Sequence, residues 1–90
     1  MINIDVNKIV GSYIKKRRLN LGCSQENLAG RVSLSRPSIT NIEAGRQGIS
    51  IEQLFQFASA LETTPQYLIG DLRIAEPPVR KVAPKTADKL

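Results

Sequence analysis

The chain lacks the residues on which most catalytic and metal sites depend. It contains no histidine and a single cysteine, Cys23, among its 90 residues. The usual zinc ligand sets and the nucleophile pairs built on histidine are therefore absent, and an internal disulfide framework is excluded. Cys23 is expected to be a small residue of the core, with a reactive thiol as the alternative. The sequence predicts neither an enzyme nor a bound metal or cofactor.

Long hydrophobic runs are also missing. No segment approaches the roughly 18 consecutive apolar residues that a membrane-spanning helix needs. The start of the chain lacks the basic region and apolar run of a secretory signal. We therefore expect a cytoplasmic protein with no membrane contact. Apolar residues still make up 41% of the chain, which is enough for one small globular domain.

The charge is unbalanced towards the basic side. The formal net charge is +5, and both the first 70 residues and the remaining 20 carry an excess of Lys and Arg. A positive surface is compatible with contacts to nucleic-acid phosphates, although many such surfaces are only solvated. The same two alternatives, phosphate contact and simple solvation, remain open for Lys15 and Lys16 late in the first predicted helix.

The most informative stretch runs from Ser24 to Gly45, where the pattern predicts two short helices joined by a tight turn. Ser24 and Ser35 are residue types that cap helix N-termini. Apolar residues at helical spacing follow each of them, and Gly45 is suited to end the second helix; these apolar residues are Leu28, Ala29 and Val32, then Ile39 and Ile42. Two such helices and their short connection match a helix-turn-helix motif.

The same stretch resembles the Cro/C1-type (XRE family) helix-turn-helix domain of phage repressors and many bacterial regulators. The similarity extends from about Val10 to about Gly70. It depends on the pattern Ser24-Gln25-x-x-Leu28-Ala29, followed by Leu34-Ser35-Arg36-x-x-Ile39-x-x-Ile42-Glu43-x-Gly45. Four residues depart from the family pattern: Ser33 where glycine is usual, Gly30 inside the first helix of the motif, Arg17 where an apolar residue is usual, and Pro37 in the second helix.

The resemblance implies an all-α fold, a compact five-helix lambda-repressor-like domain over residues 1–72. Residues 73–90, with three prolines and scattered charges, are expected to form an extended or disordered basic tail. In such domains a basic residue matching Arg18 pairs with the acidic residue matching Glu43, which ties the first helix to the third. The apolar residues of the fourth predicted helix are expected to form core; they are Ile51, Leu54, Phe55, Phe57, Ala58 and Leu61.

The helix over residues 35–44 is expected to enter the major groove of double-stranded DNA, where base edges carry a distinguishable pattern of donors and acceptors. With Ile39 and Ile42 inside, its outward residues are Arg36, Pro37, Ser38, Thr40 and Asn41. Arg36 is assigned to guanine, Asn41 to adenine or a phosphate, and Pro37 to an apolar contact such as a thymine methyl group. Ser38 is as well suited to local capping. The resemblance adds Gln25 as a phosphate contact, and Arg46 and Gln47 follow in the next loop as further DNA contacts.

The predicted function is a sequence-specific transcriptional regulator, a repressor that binds a palindromic operator as a homodimer. Leu68, Ile69 and Leu72 are candidates for the dimer contact, because these late apolar residues have no obvious core role in the pattern. The alternative is an antitoxin or another protein-interaction module with the same fold, whose partner would bind the tail from Asp71 to Leu90. Such a protein would also regulate its own operon.

Overall fold

The computed structural model describes residues 5–70, and these form five helices and no strand. The elements are α1 (Val6–Asn20), α2 (Gln25–Arg31), α3 (Arg36–Glu43), α4 (Ile51–Ala60) and α5 (Pro65–Leu68). The predicted all-α, five-helix fold is confirmed. The predicted domain boundary at residue 72, the tail over 73–90 and its protein-binding role lie outside the described residues.

Every helix begins at a side-chain cap. In each case an oxygen of the residue before the helix accepts a hydrogen bond from the backbone N–H three positions later, which satisfies one of the donors that a helix start leaves free. These caps are Asp5, Ser24, Ser35, Ser50 and Thr64. At α4 the Gln53 side chain also accepts from the Ser50 N–H at 2.9 Å, which completes the capping box.

The core lies between α1, α2, α3 and the α4–α5 pair. Its seven largest fully buried side chains come from all five helices and their ends; they are Phe57, Ile14, Leu28, Ile39, Ile42, Leu61 and Leu68. Cys23 is half-buried and packs against this core. Leu68 is completely buried, so its assignment to a dimer contact was wrong.

The apolar face of α4 is broader than the core that covers it. Phe57, Ala58 and Leu61 are buried as predicted, and Leu54 is half-buried against them. In contrast, Ile51 is 75% exposed and Phe55 is 59% exposed, so the expectation that both belong to the core was wrong. No other described helix packs over that side of α4, and two large apolar side chains therefore remain on the surface.

Arg17, a departure from the family pattern, has a structural role at the end of α4. Its guanidinium donates to the carbonyl oxygens of Leu61 at 2.9 Å and Glu62 at 3.1 Å. Carbonyl groups at a helix C-terminus have no partner within the helix, and a cation there also complements the helix dipole. Arg31 of α2 donates to the nearby Ala60 carbonyl at 3.0 Å. Two arginines from α1 and α2 thus hold the C-terminal end of α4.

None of the helices over residues 5–70 has the length and apolar character needed to cross a membrane.

Candidate nucleic-acid interface

Helices α2 and α3 are joined by a turn of four residues. Ser33 in this turn has φ of 57°, in the left-handed region where glycine is favoured, as the departure from the family pattern predicts. The Leu34 N–H closes the turn by donating to the Ala29 carbonyl at 2.9 Å. From α3, Ile39 and Ile42 point into the core and are 0% and 2% exposed. The opposite side of α3 is left facing solvent.

A buried ion pair fixes the C-terminal end of α3 to α1. Arg18 Nε lies 2.6 Å from Glu43 Oε2, and Arg18 Nη2 lies 3.1 Å from Glu43 Oε1. The third guanidinium nitrogen, Nη1, donates to the Cys23 carbonyl at 2.8 Å. The hydrogen bond to Glu43 raises the pKa of Arg18, against the opposing effect of burial. The two side chains are 8% and 2% exposed, so each charge has its main compensation in the other.

Gln25 extends this ion pair to the surface of α3. Its Nε2 donates to Glu43 Oε1 at 3.0 Å, while its Oε1 accepts from the Thr40 hydroxyl at 3.0 Å. These two bonds fix which end of the Gln25 amide is the donor. The first residue of α2 and the middle of α3, both predicted DNA contacts, are therefore held in one hydrogen-bonded chain that begins at Arg18.

The outer face of α3, defined here by Arg36, Pro37, Thr40 and Asn41, forms an open, shallow depression. Arg36, Pro37 and Thr40 are exposed and Asn41 is half-buried. The only carboxylate of α3 is that of Glu43, which is buried away from this face and paired with Arg18. This side of the helix therefore offers cationic and apolar groups to a ligand.

Ser38 is placed differently from these four residues. It is half-buried, its N–H donates to Ser35 Oγ at 3.2 Å, and its own Oγ accepts from the Ser35 hydroxyl at 3.1 Å. The Ser38 N–H and hydroxyl oxygen are thus both bonded to the cap residue at the helix start. This geometry favours the local capping alternative for Ser38.

The loop after α3 brings Arg46 to the outer face and leaves Gln47 beside another part of the surface. Arg46 Nε donates to Asn41 Oδ1 at 3.1 Å, so these two predicted contacts are paired. Gln47 is exposed and lines a groove with Val6, Asn7 and Ile49. That groove is separate from the depression on α3.

Gly11 was not predicted to matter, yet it sets the approach of α1 to α3. A Cβ atom at this position would collide with the backbone carbonyl oxygen of Ile42 and lie 3.0 Å from that of Glu43. Only glycine permits this backbone contact. A glycine between the apolar residues Val10 and Ile14 on one helix face was the available signal, since glycine is otherwise unfavourable inside a helix.

Comparison with known proteins agrees with this geometry. A family profile described as helix-turn-helix matches residues 14–68. An uncharacterized transcriptional regulator in the ATPase CF(0) region of Rhodospirillum rubrum is 35% identical over 77 residues, covering 86% of this chain and 71% of that protein.

Two solved structures have the same fold. The restriction-modification controller protein C.AhdI from Aeromonas hydrophila is 29% identical, with a TM-score of 0.66, and the match covers 69% of this chain and 94% of that one. The P22 c2 repressor, solved in complex with a synthetic operator, is 30% identical with a TM-score of 0.64, over 68% of this chain and 92% of that one.

Proposed function

Because this chain belongs to the helix-turn-helix family and is a DNA-binding transcriptional regulator, we propose that it is a repressor that binds a palindromic operator as a dimer. Helix α3 would lie in the major groove, which is wide enough to admit an α-helix. The repressor assignment is supported by the similarity to the P22 c2 repressor. Bound at a promoter, the dimer would block access to the DNA.

The observation that carries this proposal is the difference between the two sides of α3, of which one is packed against the protein and the other faces solvent. Its inner side is fixed by Ile39, Ile42 and the Arg18–Glu43 ion pair. Its outer face is open to solvent, and among the described residues the side chains of Gln25 and Arg46 bond to it from the edge. Because its inner side is already fixed, α3 can present side chains to base edges with little further loss of conformational entropy on binding.

Individual roles follow from the groups that remain available. The exposed guanidinium of Arg36 can donate two hydrogen bonds to guanine O6 and N7. Arg46 and the second N–H of the Gln25 amide are suited to phosphate oxygens, which set orientation and carry no sequence information. Gln47 would contact the DNA backbone only, because it lies outside the depression on α3.

Dimer formation is supported by the exposed apolar side chains beside the groove of Val6 and Ile49. Ile51, which is mostly exposed, and Ile69, which is 36% exposed, line this groove, and the mostly exposed Phe55 lies one helical turn from Ile51 on α4. Exposed large apolar groups that lie close together are typical of protein interaction sites. We assign Ile51, Phe55 and Ile69 to the dimer contact in place of Leu68; Leu72 lies outside the described residues.

Selection from a pool of random duplexes tests the proposal. We expect the purified protein to enrich an inverted repeat whose half-sites are about one helical turn apart. Affinity for the selected duplex should fall steeply with salt, because phosphate contacts release counterions. A reporter with this duplex placed over its promoter should be repressed. Failure to retain any duplex at low ionic strength would contradict DNA binding, and activation of the reporter would contradict repression.

A further inference from the structure

The depression on the outer face of α3 has a chemical character of its own. We propose that it is a thymine-binding subsite, in which the C5 methyl group packs on Pro37 and Thr40 while the O4 atom accepts a hydrogen bond at the rim. The inference rests on the proposed function, in that α3 must enter the major groove. It goes further by naming one base and the groups that select it.

The centre of the depression is apolar because the polar group of Thr40 is already engaged. The Thr40 hydroxyl donates to Gln25 Oε1 at 3.0 Å and lies 3.2 Å from the Arg36 carbonyl oxygen. The single hydroxyl proton is therefore committed, so Thr40 has no donor left for a ligand and adds its γ-methyl group to the apolar part of the lining. Pro37 adds a ring of carbon atoms and has no backbone N–H. A methyl group is the apolar feature that thymine alone presents among the four bases in the major groove.

The rim supplies donors. Asn41 Oδ1 accepts from Arg46 Nε at 3.1 Å, which leaves the NH₂ group as the unused donor of this amide. Arg36 is exposed and has five N–H donors, of which the proposed guanine contact uses two. Thymine O4 is an acceptor, whereas cytosine and adenine place an amino group in the major groove. An amino group facing these donors would find no acceptor in them, whereas O4 would accept from them, and this difference favours thymine over both bases.

Single-base replacement in the duplex selected from the random pool tests the subsite. Uracil removes the methyl group and retains O4. We expect a uracil replacement in one half-site to weaken wild-type binding about fourfold, from the transfer free energy of one buried methyl group, and replacement in both half-sites to weaken it about fifteenfold. Replacing the same pair by 5-methylcytosine and guanine retains the methyl group but replaces O4 with an amino group. We expect this duplex to bind about tenfold more weakly or worse.

Two protein variants connect the effect to the depression. In Pro37→Ala the carbon ring is lost, and in Thr40→Ser the γ-methyl group is lost while the hydroxyl that reaches Gln25 is kept. With either variant, thymine and uracil duplexes should bind more nearly equally than with the wild type. Pro65→Ala is the matched control, because Pro65 also stands in the first turn of a helix, α5, but lies outside the depression. It should retain the full uracil penalty.

The outcomes separate this inference from the proposed function. The subsite is overturned if no uracil replacement weakens binding, if the selected half-site contains no thymine, or if both variants retain the full penalty. In each of those cases the protein still binds its duplex, and the repressor proposal stands. If the wild type retains no duplex from the pool, the repressor proposal fails and the subsite fails with it.

Discussion

Arg18 in α1 and Glu43 at the end of α3 form two hydrogen bonds, of 2.6 Å and 3.1 Å, with both side chains almost completely buried. This pair is the polar link between the first helix and the one proposed to bind DNA. Replacing either residue alone would leave the other charge buried without its partner. Breaking such a pair typically costs about 3–5 kcal/mol.

Glu43→Ala should therefore lower the free energy of unfolding by about 3–5 kcal/mol, measured by urea denaturation. The exposed Glu52→Ala, in the first turn of α4, is the control and should cost less than about 1 kcal/mol. The double variant Arg18→Met with Glu43→Leu should recover part of the loss, because neither charge is then stranded. A loss below about 1 kcal/mol for Glu43→Ala would show that the pair contributes little.

The two helical glycines should respond in opposite directions to alanine. Gly11→Ala places a methyl group against the Ile42 carbonyl oxygen, so α1 must move away from α3 and stability should fall by about 1–3 kcal/mol. Gly30→Ala introduces a methyl group into open space on α2 and should raise stability by up to about 1 kcal/mol. Thermal unfolding of both variants checks the prediction. Equal shifts of the same sign would refute the close approach at Gly11.

Arg36 and Arg46 should differ in how they affect DNA binding. Arg36→Ala should lose about 1–3 kcal/mol on the selected duplex and relax the preference at one base pair. Arg46→Ala should weaken binding to all duplexes by a similar factor, and the slope of log affinity against log salt concentration should become shallower by about one. An additional change is expected only at the base that Asn41 faces, because Arg46 bonds to Asn41. Titrations on single-base variants of the selected duplex distinguish the two. If Arg36→Ala weakens every duplex equally, Arg36 contacts phosphate and not a base.

Substitution of Phe55 tests the proposed dimer contact. Phe55→Glu introduces a charge among exposed apolar side chains and should shift the protein towards monomer in sedimentation equilibrium. Binding to a duplex with two half-sites should weaken, whereas binding to a single half-site should change little. Gln56→Glu adds the same charge at the neighbouring exposed position of α4 and is the matched control. An unchanged oligomeric state in Phe55→Glu would place any dimer contact elsewhere.

Local features of this fold were predictable from the sequence because they depend on short-range chemistry. The caps at Ser24, Ser35 and Ser50 follow from residue type and spacing, and the left-handed conformation of Gly45 follows from its place after a helix. The inward positions of Ile39 and Ile42 follow from helical periodicity.

The features that were missed depend on which elements meet. An apolar stripe on α4 is the same pattern whether a neighbouring helix covers it or solvent does, so Ile51 and Phe55 could not be separated from Phe57. Leu68 looked peripheral because α5 has four residues, too few for helical periodicity to show which side faces the core. The bonds from Arg17 to the end of α4 span 44 and 45 residues, a range that periodicity does not reach.

The candidate interface also combines features that the sequence predicted with features that it did not. Arg36, Pro37, Thr40 and Asn41 were assigned to the outer face from the positions of Ile39 and Ile42, and the structure places them together. Residue type did not reveal that Gln25 bonds to both Glu43 and Thr40, or that Arg46 bonds to Asn41. These hydrogen bonds determine which polar atoms remain available to DNA. They depend on how the helices are arranged in space, which residue type does not reveal.

The support of α3 by Ile39, Ile42 and Glu43 has a consequence for how such a protein could change. The side chains that anchor the helix and those that face outward occupy separate positions in the sequence. Substitutions at Arg36, Pro37 and Asn41 could therefore accumulate, or be transplanted as a set from a relative, with little effect on the anchor. A lineage of such proteins could acquire new target sites while keeping one scaffold.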